Sequence, residues 1–568
     1  MTAPAPAARA RPRALLGWAA VAVALAAADT YVVVLALTEM MQGVGLGIEN
    51  LQRAAPIISG FLLGYVAVLP LIGRLADLVD RQRVLMWCLA IFTIGSGLTA
   101  LAVELPVLVA GRVIQGLGGG GLVPATLAIV AASWPPHERG MPLGLVGAVQ
   151  ELGSVVGPVL GAAVLAVADW RMIFWLNAIA GIVLAVVIRR GGRATAGPGE
   201  PPSPRAGGRQ GWALPVVWLL ALATLWLALA APDRLATDVT FGVPFVPFGS
   251  TISRLTTPVG AAALSLVTLA LAWSLRRAWP ILHQAGPFGA AMLAGALGSV
   301  ILTFAAAQPE KEIVGPLGYA LLPVAAVCGA AYVLHHRRAE NPVIPHGVVR
   351  GRTAWALVVS FCVGAALVAV IVNIPLLARV ANAADETAAA FVLLRFLLAV
   401  PVGALLGGWS LRRLGDGVVS ATGLALATLG LGLMTTWGRG VFDTAGAWIV
   451  LALSGFGIGL ALAPVNNAAL AAVREEAHGA ASALVVVARM VGMVLGLALL
   501  TAIGLHRYFA IVAVLPDPTD KEALKDAAIA QVHWVFAGAA VAAALGALAS
   551  LRLGLRRLGA ATHTFLLG

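Results

Sequence analysis

Residues 138–161 read ERGMPLGLVGAVQELGSVVGPVLG. After its first two residues this stretch is apolar over a length that can cross a bilayer, except for one acid, Glu151. A carboxylate in hydrocarbon is costly, so an ionisable residue at that depth indicates function. The stretch ends on Gly157 and Pro158, with Gly161 one turn later. It therefore predicts a membrane helix that carries a functional acid.

The composition of the whole chain is typical of a membrane protein. Its 568 residues are 60% hydrophobic and 11% charged, and the net charge is +12. A soluble domain needs far more charge, so an all-α polytopic protein surrounded by the bilayer is predicted. The basic excess is expected to collect on one side of the membrane, and no nucleic-acid partner is predicted.

The apolar segments are long enough for about 16 spans, with about 14 as the alternative because the middle segments are the weakest. They predict an N-terminal six-helix half (1–190), a linker with about four apolar helices (191–340) and a C-terminal six-helix half (341–568). The linker opens with a stretch rich in Gly, Pro and Arg at 190–211. The predicted spans are 14–37, 52–72, 84–102, 106–132, 141–168, 171–189, 212–231, 258–275, 286–307, 315–335, 353–377, 387–408, 417–437, 444–472, 479–507 and 530–555.

Charged residues between these spans predict the orientation of the chain. Arg81, Arg189, Arg276, Arg412 and Arg556 all fall on the side assigned to the cytoplasm, whereas acids prefer the other side. Cytoplasmic loops carry an excess of Lys and Arg. Both termini are therefore predicted to be cytoplasmic.

An internal repeat relates the two halves. Residues 110–161 match residues 449–500 without a gap. The glycines that coincide are Gly116, Gly118, Gly120, Gly140, Gly153 and Gly157 with Gly455, Gly457, Gly459, Gly479, Gly492 and Gly496. In this register Gln150 lies opposite Arg489 and Glu151 opposite Met490, so the halves carry different charges at equivalent positions. Repeated halves are typical of transporters.

Other kinds of site find little support in the sequence. Cys88, Cys328 and Cys362 lie inside apolar segments without metal-ligand spacing, so no metal site is predicted. The glycine pattern at 116–121 matches a dinucleotide fingerprint, but it lies inside a span with no preceding strand, and helix packing explains it better. No phosphate-binding GxxxxGK[ST] loop and no external acid–base pair are present, which disfavours an ATP-driven pump and an enzyme. His478 is expected to be solvated in a turn.

A short loop after the second span reads GRLADLVDRQR, from Gly73 to Arg83. An acid (Asp77) and a base (Arg81) in such a tight loop suit charge contacts with the ends of neighbouring helices. The alternative is ordinary positive-inside charge, which explains this stretch equally well.

This loop resembles the G-x-L-a-D-r-x-G-r signature of the major facilitator superfamily. It departs from the signature at Leu78 and at Asp80, where a basic residue and Gly are usual. The second half carries a degraded copy, GWSLRRLG, with Arg412 in the Asp position. The resemblance implies the major-facilitator fold and a role of Gly73, Asp77, Arg81 and Arg83 in conformational change.

Three further motifs resemble those of the same superfamily. They are Asp29-Thr30 in the first helix, Arg112-x-x-Gln115-Gly116 in the fourth, and Gly153, Gly157, Pro158 and Gly161 in the fifth. They imply the drug:proton antiporter branch with extra linker helices and, for the fifth helix, export. Together with Glu151 and Arg489 they look most like the mycobacterial exporters of triacylglycerol and lipoglycans.

Five charges are predicted to lie near the middle of the membrane. At 1.5 Å per residue, Asp29 lies about 12 Å, Arg112 about 10 Å and Arg395 about 13 Å from the external ends of their helices. Glu151 and Arg489 each lie about 15 Å from the cytoplasmic ends of theirs. We expect Asp29 and Glu151 to exchange protons and arginine partners as the halves move, since an acid separated from its arginine binds a proton. The alternative is that Asp29 and Arg112 form a fixed strut.

The end of the eleventh helix of the two halves is unusually long. The sequence LHRYFAIVAVL stays apolar to Leu515, beyond the expected end of the span near Ile503. Thr519-x-x-Glu522 reads as a capping box for the next helix. A helical hairpin near 505–530 is therefore predicted to project about 18 Å outside the membrane, unless the span is shifted outward.

The sequence and the resemblance together predict a secondary active exporter. It would extrude lipidic or amphipathic molecules of the triacylglycerol or lipoglycan type by proton antiport and alternating access, with a multidrug efflux antiporter as the alternative and a polytopic membrane transferase less favoured. The proton gradient replaces a cofactor. A monomer in the bacterial inner (plasma) membrane is expected, and a periplasmic or cell-envelope lipid carrier is a candidate partner.

Overall fold

The computed structural model describes residues 6–47, 51–193, 210–238, 242–248, 253–305, 318–382, 386–517 and 519–554. Within these ranges the chain is predominantly α-helical and contains no β-strand. Sixteen described helices are long and apolar enough to cross a membrane, which confirms the prediction of about 16 spans. Most of the Gly/Pro/Arg-rich stretch at 190–211, and Arg556, lie outside the described residues.

Sixteen long helices follow one another along the described chain. They are α1 (Pro6–Gly43), α2 (Leu51–Leu78), α3 (Arg81–Ala100), α4 (Leu105–Ser133), α5 (Gly140–Leu165), α6 (Arg171–Arg193), α7 (Gln210–Ala230), α8 (Pro258–Gln284), α9 (Pro287–Ala305), α10 (Gly318–Arg338), α11 (Gly351–Asn382), α12 (Glu386–Ser410), α13 (Asp416–Met434), α14 (Ala445–Ala471), α15 (His478–Val512) and α16 (Lys521–Ser550).

The helix bundle has two ends that differ in their connecting segments. The motif end carries the turn between α2 and α3 and residues 134–139. The hairpin end carries residues 513–517, 519 and 520 between α15 and α16. If the predicted orientation holds, the motif end is cytoplasmic.

Matched glycines of the repeat make equivalent contacts in the two halves. Gly153 and Gly157 bring α5 against the backbone of α1, and their counterparts Gly492 and Gly496 bring α15 against α11. In the same way Gly116 and Gly120 of α4 pack on α2, and their counterparts Gly455 and Gly459 of α14 pack on α12. Gly118 packs on α3, and its counterpart Gly457 packs on α13. A side chain at any of these positions would collide with the backbone of the neighbouring helix, so the repeat predicted from the sequence reflects shared packing.

The linker helices form two pairs, α7 with α8 and α9 with α10. Helix α9 also packs on α2 of the first half and α15 of the second. The segment after α10 continues this cover, because Val343, Ile344 and Val348 pack with Ala477 and Ala481 at the start of α15. The linker therefore lies along the seam between α2 and α15.

The cap of α16 differs from the predicted capping box. Asp520, rather than Thr519, caps the helix by accepting hydrogen bonds from the backbone N–H groups of Glu522 (2.9 Å) and Ala523 (3.3 Å). The Thr519 hydroxyl donates instead to Asp517 at 2.7 Å. Both Asp and Thr are favourable N-cap residues. Because the tight turn orients Thr519 toward Asp517, Asp520 is the residue that caps the helix. Helix α15 runs to Val512, while the projection of this hairpin beyond the membrane stays a prediction.

Candidate functional site

At the motif end an acid of the first half caps a helix of the second. The Asp77 carboxylate accepts hydrogen bonds from the backbone N–H groups of Gly479 (2.6 Å) and Ala480 (3.0 Å), in the first turn of α15. A carboxylate at a helix N-terminus is favoured both by the free N–H groups and by the helix dipole. The close approach of α2 to the start of α15 needs small residues, since a methyl group on Gly73 would lie 2.7 Å from the carbonyl oxygen of Gly479.

The neighbouring residues of the loop support this contact in different ways. Arg81 donates to the carbonyl oxygen of Glu475 at 3.4 Å, which also joins the halves. Asp80, one of the two departures from the family signature, is the N-cap of α3 and accepts from the backbone N–H of Arg83 at 2.9 Å. The Arg83 side chain is exposed. Asp77 and Arg81 therefore contact the other half, and Arg83 does not.

The equivalent contact between α5 and α12 has no such acid. Gly140 and Gly408 approach each other through their backbones, as Gly73 and Gly479 do. Arg412 is in the position of Asp77 and is exposed to solvent. A charged contact thus joins the two halves between α2 and α15, whereas glycine packing alone joins them between α5 and α12.

His478 is buried, and the expectation of a solvated histidine is wrong. It is 3% exposed at the start of α15. Nearby, Arg139 is also buried and donates to the carbonyl oxygens of Trp134 (2.8 Å) and Ala131 (2.5 Å) at the end of α4. Burial lowers the pKa of Arg139, and neighbouring Glu475 partly offsets this. Packing of distant segments at the motif end covers both residues, which a single stretch of sequence does not reveal.

Asp29 lies at the centre of a saturated polar network inside the first half. Its carboxylate accepts hydrogen bonds from Arg112 (2.6 Å), Gln115 (2.9 Å) and Asn177 (2.6 Å), and its side chain is fully buried. Arg112 also donates to Gln115 at 2.6 Å, and its guanidinium lies 4.4 Å from the centroid of the Phe61 ring. These residues come from α1, α2, α4 and α6. The arrangement matches the predicted alternative in which Asp29 and Arg112 form a strut.

Glu151 and Arg489 form a second and looser pair. The Glu151 Oε1 atom lies 3.7 Å from Arg489 Nη1, and each side chain is 8% exposed. Neither side chain makes a hydrogen bond to another residue in the described part of the chain. Because α5 and α15 belong to different halves, this ion pair crosses between them.

Contacts between the halves are concentrated between this pair and the motif end. On α5, Ser154 and Pro158 follow Glu151 on the same face toward the hairpin end, and both are partly exposed. On α15, Met493 and Leu497 follow Arg489 in the same way and are also partly exposed. The halves therefore pack closely on the motif side of the pair and less closely on the hairpin side.

A cavity between the halves reaches the pair from the motif side. Its lining includes Val123, Leu127, Val146 and Gln150 of the first half and Val363, Leu462, Val486 and Arg489 of the second. The lining is mostly apolar with a few polar groups.

The two acid pairs are separate in this structure. Gly157 packs on Ala28, the neighbour of Asp29, and lies about 9 Å from Glu151 along α5. Arg395, the fifth predicted charge, faces neither acid, and its guanidinium stacks on the ring of Trp448. The export-motif glycines, Gly153, Gly157 and Gly161, serve the packing of α5 on α1.

Two polar groups were missed from the sequence. Asn177 completes the Asp29 network. At the motif end of the second half, the buried Asp416 accepts from Arg352 (2.7 Å) and Asn467 (2.8 Å) and joins α11, α13 and α14. Isolated asparagines inside apolar spans were the available signal, since polar groups in hydrocarbon need partners. In the described part of the chain, no group of three or more His, Cys, Asp or Glu residues could hold a metal ion.

Comparison with known proteins identifies the family of this chain. A family model described as the Major Facilitator Superfamily matches residues 19–335 and 286–497. The chain belongs to this superfamily. It is therefore a multi-pass membrane transporter rather than an enzyme.

Relatives and solved structures agree with this assignment. The chain is 36% identical over 510 residues to a triacylglyceride transporter of Mycolicibacterium hassiacum, covering 87% of this chain and 80% of the relative. It is 33% identical over 505 residues to one of Mycobacterium tuberculosis, covering 86% and 82%. The predicted resemblance to mycobacterial transporters of this kind is thus confirmed. The human organic anion transporter MFSD10 superposes with a TM-score of 0.53 at 14% identity, covering 95% of this chain and 99% of that one, and shows the shared fold.

Proposed function

We propose that this transporter is a proton-coupled exporter of lipidic or amphipathic molecules of the triacylglyceride type, which works by alternating access. The observation that carries the proposal is the Glu151–Arg489 pair. It joins the two halves in the interior of the bundle, at 3.7 Å and with little exposure. A charge pair between moving bodies is a means of coupling protonation to movement.

Alternating access is supported by the contacts at the motif end. The capping of α15 by Asp77 and the two glycine contacts keep this end closed. Opening it separates α2 from α15 and breaks the hydrogen bonds of Asp77. With the predicted orientation, the structure then corresponds to the state that is closed toward the cytoplasm and exposes its interior to the outside.

Proton coupling is supported by the few bonds of Glu151. The acid is held by one long ion pair, so protonation of Glu151 removes the main attraction between α5 and α15 near the middle of the membrane. The halves can then separate at the motif end, and renewed pairing with Arg489 releases the proton on the other side. Asp29 remains bound to its three donors and holds the first half together.

A lipid cargo is supported by the relatives and by the chemistry of the cavity. Relatives at 33% and 36% identity carry the name triacylglyceride transporter. The cavity between the halves is lined mainly by valines and leucines. The α15–α16 hairpin presents Phe509 and Val514, which are 51% and 79% exposed, and would pass the cargo to a cell-envelope lipid carrier. The protein would act as a monomer in the bacterial inner membrane.

The test is transport in liposomes. The full-length protein is reconstituted, and movement of a fluorescent triacylglycerol and of a cationic dye is recorded with and without a pH gradient. Gradient-driven movement of the triacylglycerol is expected, and Glu151→Gln should abolish it. Glu138→Gln is the matched control, because Glu138 is an exposed acid just before the same helix.

The outcomes separate the parts of the proposal. Movement of the dye alone would replace the lipid exporter by a multidrug antiporter. Full gradient-driven activity of Glu151→Gln would remove Glu151 from the coupling mechanism. Lipid movement that ignores the pH gradient would exclude proton antiport.

A further inference from the structure

Arg395 is a charged residue of the membrane region with no acidic partner among the residues that the structure describes. It lies on α12, about 14 Å from the start of the helix at Glu386 at the hairpin end. Its Cζ atom lies 3.2 Å from the centroid of the Trp448 ring on α14. Among the described residues it has no hydrogen-bond or ion-pair partner, and its Nη1 atom is buried without one.

The helical position of Arg395 places it on an exposed face of α12. Phe391, Leu398 and Val402 lie on the same face, at spacings of four, three and seven residues, and are 61%, 47% and 51% exposed. Ala404 and Gly408, which contact α5 of the first half, lie on the opposite side of α12. Arg395 therefore points away from the interface between the halves, toward the surrounding bilayer.

An arginine in this position needs an anion. Charged side chains within a span normally pair with one another or with backbone carbonyls. Stacking on Trp448 stabilises the guanidinium, but a ring face leaves its planar fork of N–H donors unused. A phosphate group satisfies this fork, because two of its oxygens accept parallel N–H bonds.

The depth of the pair suits a lipid headgroup. Side chains of a helix tilt toward its N-terminus, which for α12 is the hairpin end, and a long arginine side chain extends along apolar surface to the membrane interface. Trp448 lies in the first turn of α14, which begins at Ala445 at the same end. Tryptophan is enriched at this level of the bilayer.

We infer that Arg395 and Trp448 form a binding site for the phosphate headgroup of an anionic phospholipid in the leaflet at the hairpin end. The acyl chains of the lipid lie along the exposed apolar face formed by Phe391, Leu398 and Val402. The site is distinct from the cavity between the halves, because neither Trp448 nor any residue of α12 lines that cavity. It binds a lipid of the surrounding membrane, whatever cargo the transporter moves.

The test uses the purified full-length protein in detergent. Its melting temperature is recorded during titration with phosphatidylglycerol, phosphatidylcholine or inorganic phosphate. Phosphatidylglycerol is expected to stabilise the wild type more than phosphatidylcholine does. Arg395→Gln should lose most of this difference, and Trp448→Leu should lose part of it.

Arg413→Gln is the matched control. Arg413 follows the other end of α12, and its guanidinium also lies over a tryptophan, 5.7 Å from the Trp409 ring centroid, but it is exposed outside the span. This variant should respond to phosphatidylglycerol as the wild type does.

Four results would overturn the inference. They are an unchanged phosphatidylglycerol response in Arg395→Gln, an equal response of the wild type to both lipids, stabilisation by inorganic phosphate in place of the lipid, and an equal loss in the Arg413→Gln control. If Arg395→Gln does not fold, Arg395→Lys decides. It keeps the charge but loses the fork, so a response equal to that of the wild type would contradict the site.

Discussion

Asp29 and Glu151 lie on two packed helices of the same half, and their surroundings differ greatly. Asp29 accepts hydrogen bonds from three side chains that all belong to the first half. Glu151 faces Arg489 of the second half at 3.7 Å. Both acids are almost completely buried, so burial does not distinguish them. What distinguishes them is the location of their partners.

Under the proposed alternating access, this difference separates a structural acid from a coupling acid. The partners of Asp29 would then move with it, so its network would survive the conformational change. The partner of Glu151 would move relative to it, so its environment would change with every transition. Substitutions in the saturated Asp29 network should therefore lower the free energy of unfolding more than substitutions in the looser Glu151–Arg489 pair.

The largest loss of stability is expected for Arg112→Leu. The substitution leaves the Asp29 carboxylate buried without its charge partner, and breaking a buried pair in this way costs about 3–5 kcal/mol. Melting temperature in detergent measures the effect. The double variant Asp29→Asn/Arg112→Leu should be more stable than Arg112→Leu, because no charge is then left unpaired. A single variant as stable as the wild type would contradict the strut.

A smaller loss is expected for Asn177→Leu. It removes one of the three donors to Asp29, and losing a hydrogen bond to a charged group costs about 1.5–3 kcal/mol. Asn466→Leu is the matched control, because the Asn466 amide donates only to the Leu462 carbonyl of its own helix. Equal melting temperatures of the two variants would show that Asn177 does not support the network.

The sequence predicted the spans and the repeat, and it offered the Asp29–Arg112 pair as an alternative to an exchange of partners, because each feature leaves a local mark. Apolar runs of fixed length mark spans, recurring glycines mark close packing, and single charges in apolar helices mark pairs. What it missed depends on how distant segments meet. Arg395 was expected to pair with an acid or to face a water-filled cavity and lies against Trp448, and His478 was expected in water and is buried at the motif end.

An effect on conformation rather than on folding is expected for Asp77→Asn. The substitution removes the negative charge that favours the N-terminus of α15, which is worth about 0.3–1 kcal/mol for an exposed charge and up to about 2 kcal/mol for a partly buried one. A change of one or two kcal/mol shifts a population by about 5–30-fold. Distances between spin labels placed at the exposed positions 83 and 412 should show more molecules open at the motif end.

The control for this measurement is Glu138→Gln, which removes an exposed acid at the same end without touching α15. Its distance distribution should match that of the wild type. If Asp77→Asn gave that same distribution, the helix cap would not hold the motif end closed.

The smallest loss of stability is expected for Glu151→Gln, because Glu151 makes no hydrogen bond in the described part of the chain and its ion pair with Arg489 is long, at 3.7 Å. Glutamine keeps the size of the side chain and mimics the protonated acid, and its amide oxygen can still accept a hydrogen bond from the guanidinium that has lost its charge partner. The melting temperature should therefore stay near that of the wild type while gradient-driven transport is lost. In contrast, Asp29→Asn should lower the melting temperature in parallel with any loss of transport. If Glu151→Gln destabilised the protein as strongly as Arg112→Leu, the pair between the halves would be structural, and the distinction between the two acids would fail.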